Sequence, residues 1–170
     1  METVLHGKAF TCGDHINTDL ISPACYMERS PEVIAAHAME GVDPAFSRKI
    51  RRGDFVVAGK NFGSGSSRET APVALRDCGV AAVIAEFFAR IFYRNCINIG
   101  LPALICPQAG RIDMGDSLRV DLEQGLIENE TKHETYRCEP LPANLRQIIA
   151  RGGLMESLKQ DYGPKKGAAE

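Results

Sequence analysis

Apolar positions along the chain fall into short blocks whose spacing changes from one end to the other. Val4–Thr11 mixes apolar and polar side chains as a half-buried strand does, and runs into the turn-rich polar loop Gly13-Asp14-His15-Ile16-Asn17-Thr18-Asp19. Ser30-Pro31-Glu32 predicts a helix to about Met39, with Ser30 as its cap, Pro31 at its first position and Gly41 as its stop. A helical turn is expected over Pro44–Ile50. Asp54–Gly59 and Ala81–Glu86 carry apolar runs too short for helices and read as buried strands. Between them lie the small-residue loop Lys60–Glu69 and a helix of about Glu69–Cys78 ended by Gly79. Phe87–Ile97 places Phe88, Ile91, Phe92 and Cys96 at helical spacing, and Ala103–Cys106 is a further short strand. Strand, loop, helix, strand, helix, strand is the pattern of an α/β core with parallel strands.

From Asp113 the pattern becomes short alternation, over Ser117–Leu122, Leu126–Glu128 and Glu134–Cys138, as antiparallel strands joined by turns would give. Leu141–Gly153 reads as a closing helix, and Asp161–Glu170 as a mobile tail without an apolar face. With no internal repeat or linker, residues 1–160 are expected to form one mixed α/β domain, with 161–170 as a tail.

A chain of 170 residues buries roughly two-thirds of its unfolded surface, enough for a core without disulfides or structural metal. Twenty basic and twenty-two acidic side chains nearly balance, which argues against a general nucleic-acid or membrane-surface binder. No apolar run approaches the roughly 20 residues of a membrane helix, and Met1-Glu2-Thr3-Val4 does not open a secretory signal. A cytoplasmic protein is expected. Its six cysteines include no C-x-x-C pair and its four histidines no H-E-x-x-H, so no metal site is expected on this chain alone.

One segment calls for chemistry: Gly63-Ser64-Gly65-Ser66-Ser67-Arg68-Glu69. It lacks the third glycine of a dinucleotide fingerprint, where Arg68 stands, and the central serine of a nucleophile elbow, where Gly65 stands; a P-loop fails just before it, because Gly53 to Gly59 is one residue too long and Asn61 follows Lys60. Ser66-x-x-Glu69 also fits a capping box. Capping leaves unexplained the glycine and serine just before it, and an arginine where a first helical turn prefers acids. An anion site explains both: glycine lets a ligand approach the backbone, a helix N-terminus favours negative charge, and Arg68 can grip a carboxylate with two parallel bonds.

Lys60–Pro72 resembles the serine-bearing loop of the aconitase superfamily, and Asn17-Thr18-Asp19-Leu20-Ile21-Ser22-Pro23 a second signature of that family. Phe87–Ile99 followed by Gly100-Leu101-Pro102 looks like a third. In order and length the chain is similar to the small-subunit family of 3-isopropylmalate dehydratases. The resemblance implies a single swivelling β/β/α three-layer domain of the aconitase C-terminal type. It implies a hydro-lyase subunit of leucine biosynthesis, inactive alone, that isomerises a malate-type diacid by dehydration and rehydration. A [4Fe–4S] cluster would sit on a large-subunit partner, in a heterodimer or heterotetramer, and none on this chain. By the same resemblance Ser66 is the catalytic base, Ser67 and Arg68 bind the substrate carboxylate, and Gly63, Gly65 and Asp19 support them. For Asp19 a plain turn or cap role is as good a reading.

Ala24–Arg29 matches the family's substrate-selecting loop, with Tyr26, Met27 and Glu28 as specificity residues and Arg29 as a possible contact to an extra carboxylate. Isopropylmalate enzymes place apolar residues there and homoaconitase-like relatives an arginine. Glu28-Arg29 fits neither cleanly: either Arg29 reaches substrate, or Met27 supplies an apolar contact while both charges stay solvated. Thr70, where the family usually has histidine, and Ser64, where small subunits often have cysteine, are further departures. Homoaconitase or a citramalate or dimethylmalate dehydratase shares the mechanism and is the first alternative. A non-catalytic dicarboxylate-binding module is the second.

Overall fold

The computed structural model describes residues 3–163. Seven strands form one curled sheet in the order β4-β3-β2-β1-β5-β6-β7. They are β1 (Val4–Thr11), β2 (Phe55–Ala58), β3 (Ala82–Ala85), β4 (Ala103–Ile105), β5 (Ser117–Asp121), β6 (Leu126–Asn129) and β7 (Glu134–Arg137). The helices are α1 (Thr18–Ile21), α2 (Pro31–Ala36), α3 (Phe46–Lys49), α4 (Thr70–Asp77), α5 (Arg90–Ile99), α6 (Ala143–Ala150) and α7 (Leu154–Tyr162). No helix of the described residues is long and apolar enough to cross a membrane.

β1 joins two kinds of sheet. Its first half, Val4–Lys8, pairs antiparallel with β5, while Ala9–Thr11 pairs parallel with Phe55–Val57. β2, β3 and β4 continue in parallel, and β5, β6 and β7 antiparallel. Side chains that alternate along β2 enter two different cores. Val56 and Ala58 pack with Val83, Ala85, Ala74, Leu75 and Phe92 on the helical side. Phe55 and Val57 pack with Leu104, Leu118, Ile127 and Tyr136 on the side of the antiparallel strands. The parallel sheet is therefore sandwiched between a helical layer and a second β layer, the β/β/α arrangement. Burial on both faces explains why β2 and β3 are apolar at every position.

Four expectations need correction. The loop after Thr11 contains a short helix, because the Asn17 carboxamide accepts the Leu20 amide and starts α1. α2 ends at Ala36, well before Gly41. Gly41 instead lies against α1, where a Cβ would come within 2.8 Å of the Leu20 Cα. α5 begins at Arg90, because the Phe62 amide donates to the Phe87 carbonyl and the Ala89 amide to Phe62, holding Phe87–Ala89 extended. Ile91 is consequently half exposed and outside the core. The closing helix is followed by a further one, α7, which takes in Asp161 and Tyr162; residues 164–170 of the expected tail lie outside the described residues.

Candidate active site

Three adjacent parallel strands end on the same edge, and the loops that leave them meet there, the place where open α/β sheets bind ligands. The loop after β1 runs beside the loop after β2. His15 N–H donates to the Lys60 carbonyl at 2.8 Å, Gly63 N–H to Ile16 at 2.7 Å, and Thr18 N–H to Ser64 at 2.8 Å. The Asp14 carboxylate accepts the Lys60 amide at 2.7 Å; a Cβ on Gly59 would fall 1.8 Å from that oxygen, so a side chain there would displace the carboxylate from this bond. The segment after β3 completes the edge through its bonds to Phe62.

Gly63 has φ +81°, and a Cβ at that position would lie 2.1 Å from the Phe92 ring. Phe62, Phe88 and Phe92 form an aromatic cluster with centroids 5.2–6.3 Å apart that seats this turn. Gly63→Ala combines positive-φ strain with overlap against Phe92, a loss of about 3 kcal/mol. A urea melt should register that loss as a lower midpoint, and an unchanged midpoint would mean the turn is not seated on Phe92.

Past this turn the chain carries Ser66 and Ser67, both exposed, to the start of α4. The capping box is not formed: α4 begins at Thr70 with Glu69 at its cap position and no side-chain capping bond. Arg68 stands ahead of the helix rather than in its first turn. Among the described residues, the backbone amides of Ser66, Ser67 and Arg68 donate to no protein acceptor. Asn95 on α5 bonds the Ser67 carbonyl at 3.4 Å, and the Ser66 hydroxyl lies 3.4 Å from that of Thr18.

Arg68 is only 19% exposed, and its Nη1 lies 2.5 Å from Asp19 Oδ1 on α1. The charges pair, yet the N–H bonds of Nη1 are not aligned on that oxygen, so the buried nitrogen keeps an unused donor. Ser66, Ser67, Arg68, Gly63, Gly65 and Asp19 are thus gathered at one edge. Asn95 and the buried Thr18 stand with them. Asn95 carried no signal in the sequence, being 28 residues from Ser67, and Thr18 stood in a motif without a role of its own.

The segment Ala24–Arg29 forms a short 3₁₀ turn over Ala24–Tyr26. Ala24, Cys25, Met27, Glu28 and Arg29 line an open groove of about 480 Å³. Tyr26 points elsewhere: it stacks on the His37 ring with centroids 3.9 Å apart, and His37 pairs with Glu40. Partial burial and then the neighbouring Glu40 push the Tyr26 hydroxyl pKa up. No hydrogen bond or ion pair among the described residues ties Met27, Glu28 or Arg29 to Ser66–Arg68.

The cysteines do not suit a cluster. Burial raises the pKa of Cys12 and Cys138 to about 12, and pushes those of Cys78, Cys96 and Cys106 up, so these five stay protonated thiols. Among the described residues no three His, Cys, Asp or Glu side chains converge on a point where they could share a metal. Cys25 is the exposed cysteine. A thiol reagent added to the native chain should therefore label one cysteine quickly and all six after denaturation; two or more fast thiols would contradict the burial described.

Residues 17–109 match the aconitase C-terminal domain family. The chain is 50% identical over 154 residues to 3-isopropylmalate dehydratase small subunit 1 of Archaeoglobus fulgidus, covering 90% of this chain and 96% of the relative. To the 3-isopropylmalate dehydratase small subunit of Methanosarcina acetivorans it is 51% identical over 153 residues, covering 89% and 94%. The crystal structure of 3-isopropylmalate dehydratase from Methanocaldococcus jannaschii superposes with a TM-score of 0.89 at 43% identity, covering 93% of this chain and 95% of that one. With the sheet, the paired loops and these relatives in agreement, the chain belongs to the aconitase C-terminal domain family, among its 3-isopropylmalate dehydratase small subunits.

Proposed function

We propose that this chain is the base-supplying half of a 3-isopropylmalate dehydratase of leucine biosynthesis, with Ser66 removing the proton α to a substrate carboxylate. The observation that carries the reading is the set of unused donors at the start of α4. Among the described residues three consecutive backbone amides, of Ser66, Ser67 and Arg68, have no protein acceptor, and the buried Arg68 Nη1, close to Asp19 but unaligned with it, makes no hydrogen bond. Leaving a buried donor unmade costs about 1–3 kcal/mol, a cost a bound carboxylate would remove. Arg68 and the Ser67 amide hold that carboxylate, which fixes the adjacent C–H toward Ser66 Oγ. The same amides and the positive end of α4 favour an alkoxide on Ser66, whose hydroxyl is otherwise far too weak an acid. Ser66 then holds the proton on Oγ while hydroxide leaves the neighbouring carbon, and returns it on re-addition. The [4Fe–4S] cluster implied by the family does not fit this chain's thiols, so its ligands are assigned to the large subunit. Asp19 keeps the Arg68 guanidinium in place. In cells the assembled enzyme would be cytoplasmic.

The groove beside Met27–Arg29 sets the choice among substituted malates, with Met27 as the apolar contact. A steady-state panel with the co-expressed large subunit tests this choice. 3-Isopropylmalate should give the highest kcat/KM, above citramalate, dimethylmalate and homocitrate-derived acids. A preference for the tricarboxylates would assign the groove to Arg29 and the enzyme to the homoaconitase type.

A further inference from the structure

Among the described residues, Ser66 has one side-chain neighbour within hydrogen-bonding distance, and it is a buried one. Thr18 is 2% exposed, although it lies in a polar stretch of sequence. Its amide is spent on the Ser64 carbonyl, which fixes the backbone. Among the described residues its hydroxyl has a single partner, Ser66 Oγ, at 3.4 Å. Gly65, at φ +102°, carries the loop close over that hydroxyl: a Cβ there would come within 3.2 Å of the Thr18 oxygen.

We propose that Thr18 is a positioning residue for the reaction: its hydroxyl donates to Ser66 Oγ and lowers the pKa of the base. This rests on Ser66 being that base. At 3.4 Å the contact is long for two neutral hydroxyls and worth little. When Ser66 loses its proton only Thr18 can donate, and bonds to a charged oxygen shorten and strengthen. An interaction that is weak before proton removal and strong in the form that removes the proton acts on rate rather than on binding. Thr18 holds this place because α1, started by the Asn17 cap, turns its first residue inward beneath the Ser66 loop. The Thr18 side of that contact is buried, so the donor there is the threonine hydroxyl rather than bulk water.

The test uses the enzyme assembled with its large subunit, 3-isopropylmalate as substrate, and Thr18→Val, which keeps the shape and removes the donor. Thr18→Val should lower kcat about 10- to 100-fold, the loss of one charge-assisted bond. KM should stay within about twofold, and the limb of the pH profile that rises with deprotonation should move up by about one unit or more. The sign follows from the donor favouring the charged base, so its removal raises the pKa. Thr18→Ser should restore kcat, and Thr18→Ala, which cannot overfill the site, should repeat the valine result. A Thr18→Val enzyme with normal kcat, or one whose kcat falls while its pH limb stays put, overturns the proposal. Ser66→Ala is run beside it. If that variant turns over normally, the base assignment itself has failed; if it is inactive while Thr18→Val is normal, only the Thr18 role has failed.

Discussion

Replacing Ser66 by alanine in the assembled enzyme should lower kcat by about 10³- to 10⁴-fold, the range for loss of a positioned base. Stability should barely change. Ser66 is exposed, and its one side-chain hydrogen-bonding neighbour among the described residues is Thr18, at long range, so the free energy of unfolding should change by less than about 0.5 kcal/mol. Association with the large subunit should be equally unaffected. The pair of results matters, because a variant that lost activity through misfolding would lose both. Retained turnover in a folded, assembled variant would remove Ser66 from the reaction.

Arg68→Ala should be nearly as damaging, but through substrate. Two parallel charge-assisted bonds to a carboxylate are worth about 3–5 kcal/mol, or roughly 10²- to 10⁴-fold in kcat/KM. Lysine should recover only part of this, since an ammonium cannot make the two-bond fork. The ion pair with Asp19 adds little on the stability side. Asp19 is 63% exposed, and such pairs contribute about 0–1 kcal/mol. A kcat/KM measurement beside a melt should therefore separate the roles: a large kinetic loss with a small stability loss supports carboxylate binding. A variant with wild-type kcat/KM would mean Arg68 serves only to hold Asp19.

Much of this was legible in the sequence, and the failures have identifiable causes. β2 and β3 could be read because strands covered on both faces need apolar side chains at every position. α1 could not. It is four residues long, buries only Thr18 and Ile21, and its cap Asn17 looks like any turn residue. α5 starts three residues later than its apolar spacing predicts, because Phe87–Ala89 has apolar residues that suit a helix while long-range bonds to Phe62 hold it extended. The capping box fits as a string. Gly65, at φ +102°, turns the backbone, and α4 does not begin until Thr70, beyond the Ser66 cap position. Site composition was readable because glycine, serine and arginine together suit anion binding better than a cap. What composition could not supply was partnership. Thr18 and Ser66 are 48 residues apart, and only the parallel pairing of β1 with β2 brings their loops side by side.

The central claim is that half of an active site resides on this chain, with Ser66 at its centre. The most direct measurement mixes the purified chain with its large subunit and follows formation of the conjugated alkene from 3-isopropylmalate. Neither component alone should produce it, the mixture should, and a mixture made with Ser66→Ala should assemble yet remain inactive. Alkene formation by the large subunit alone, or at the normal rate with Ser66→Ala, would contradict the account.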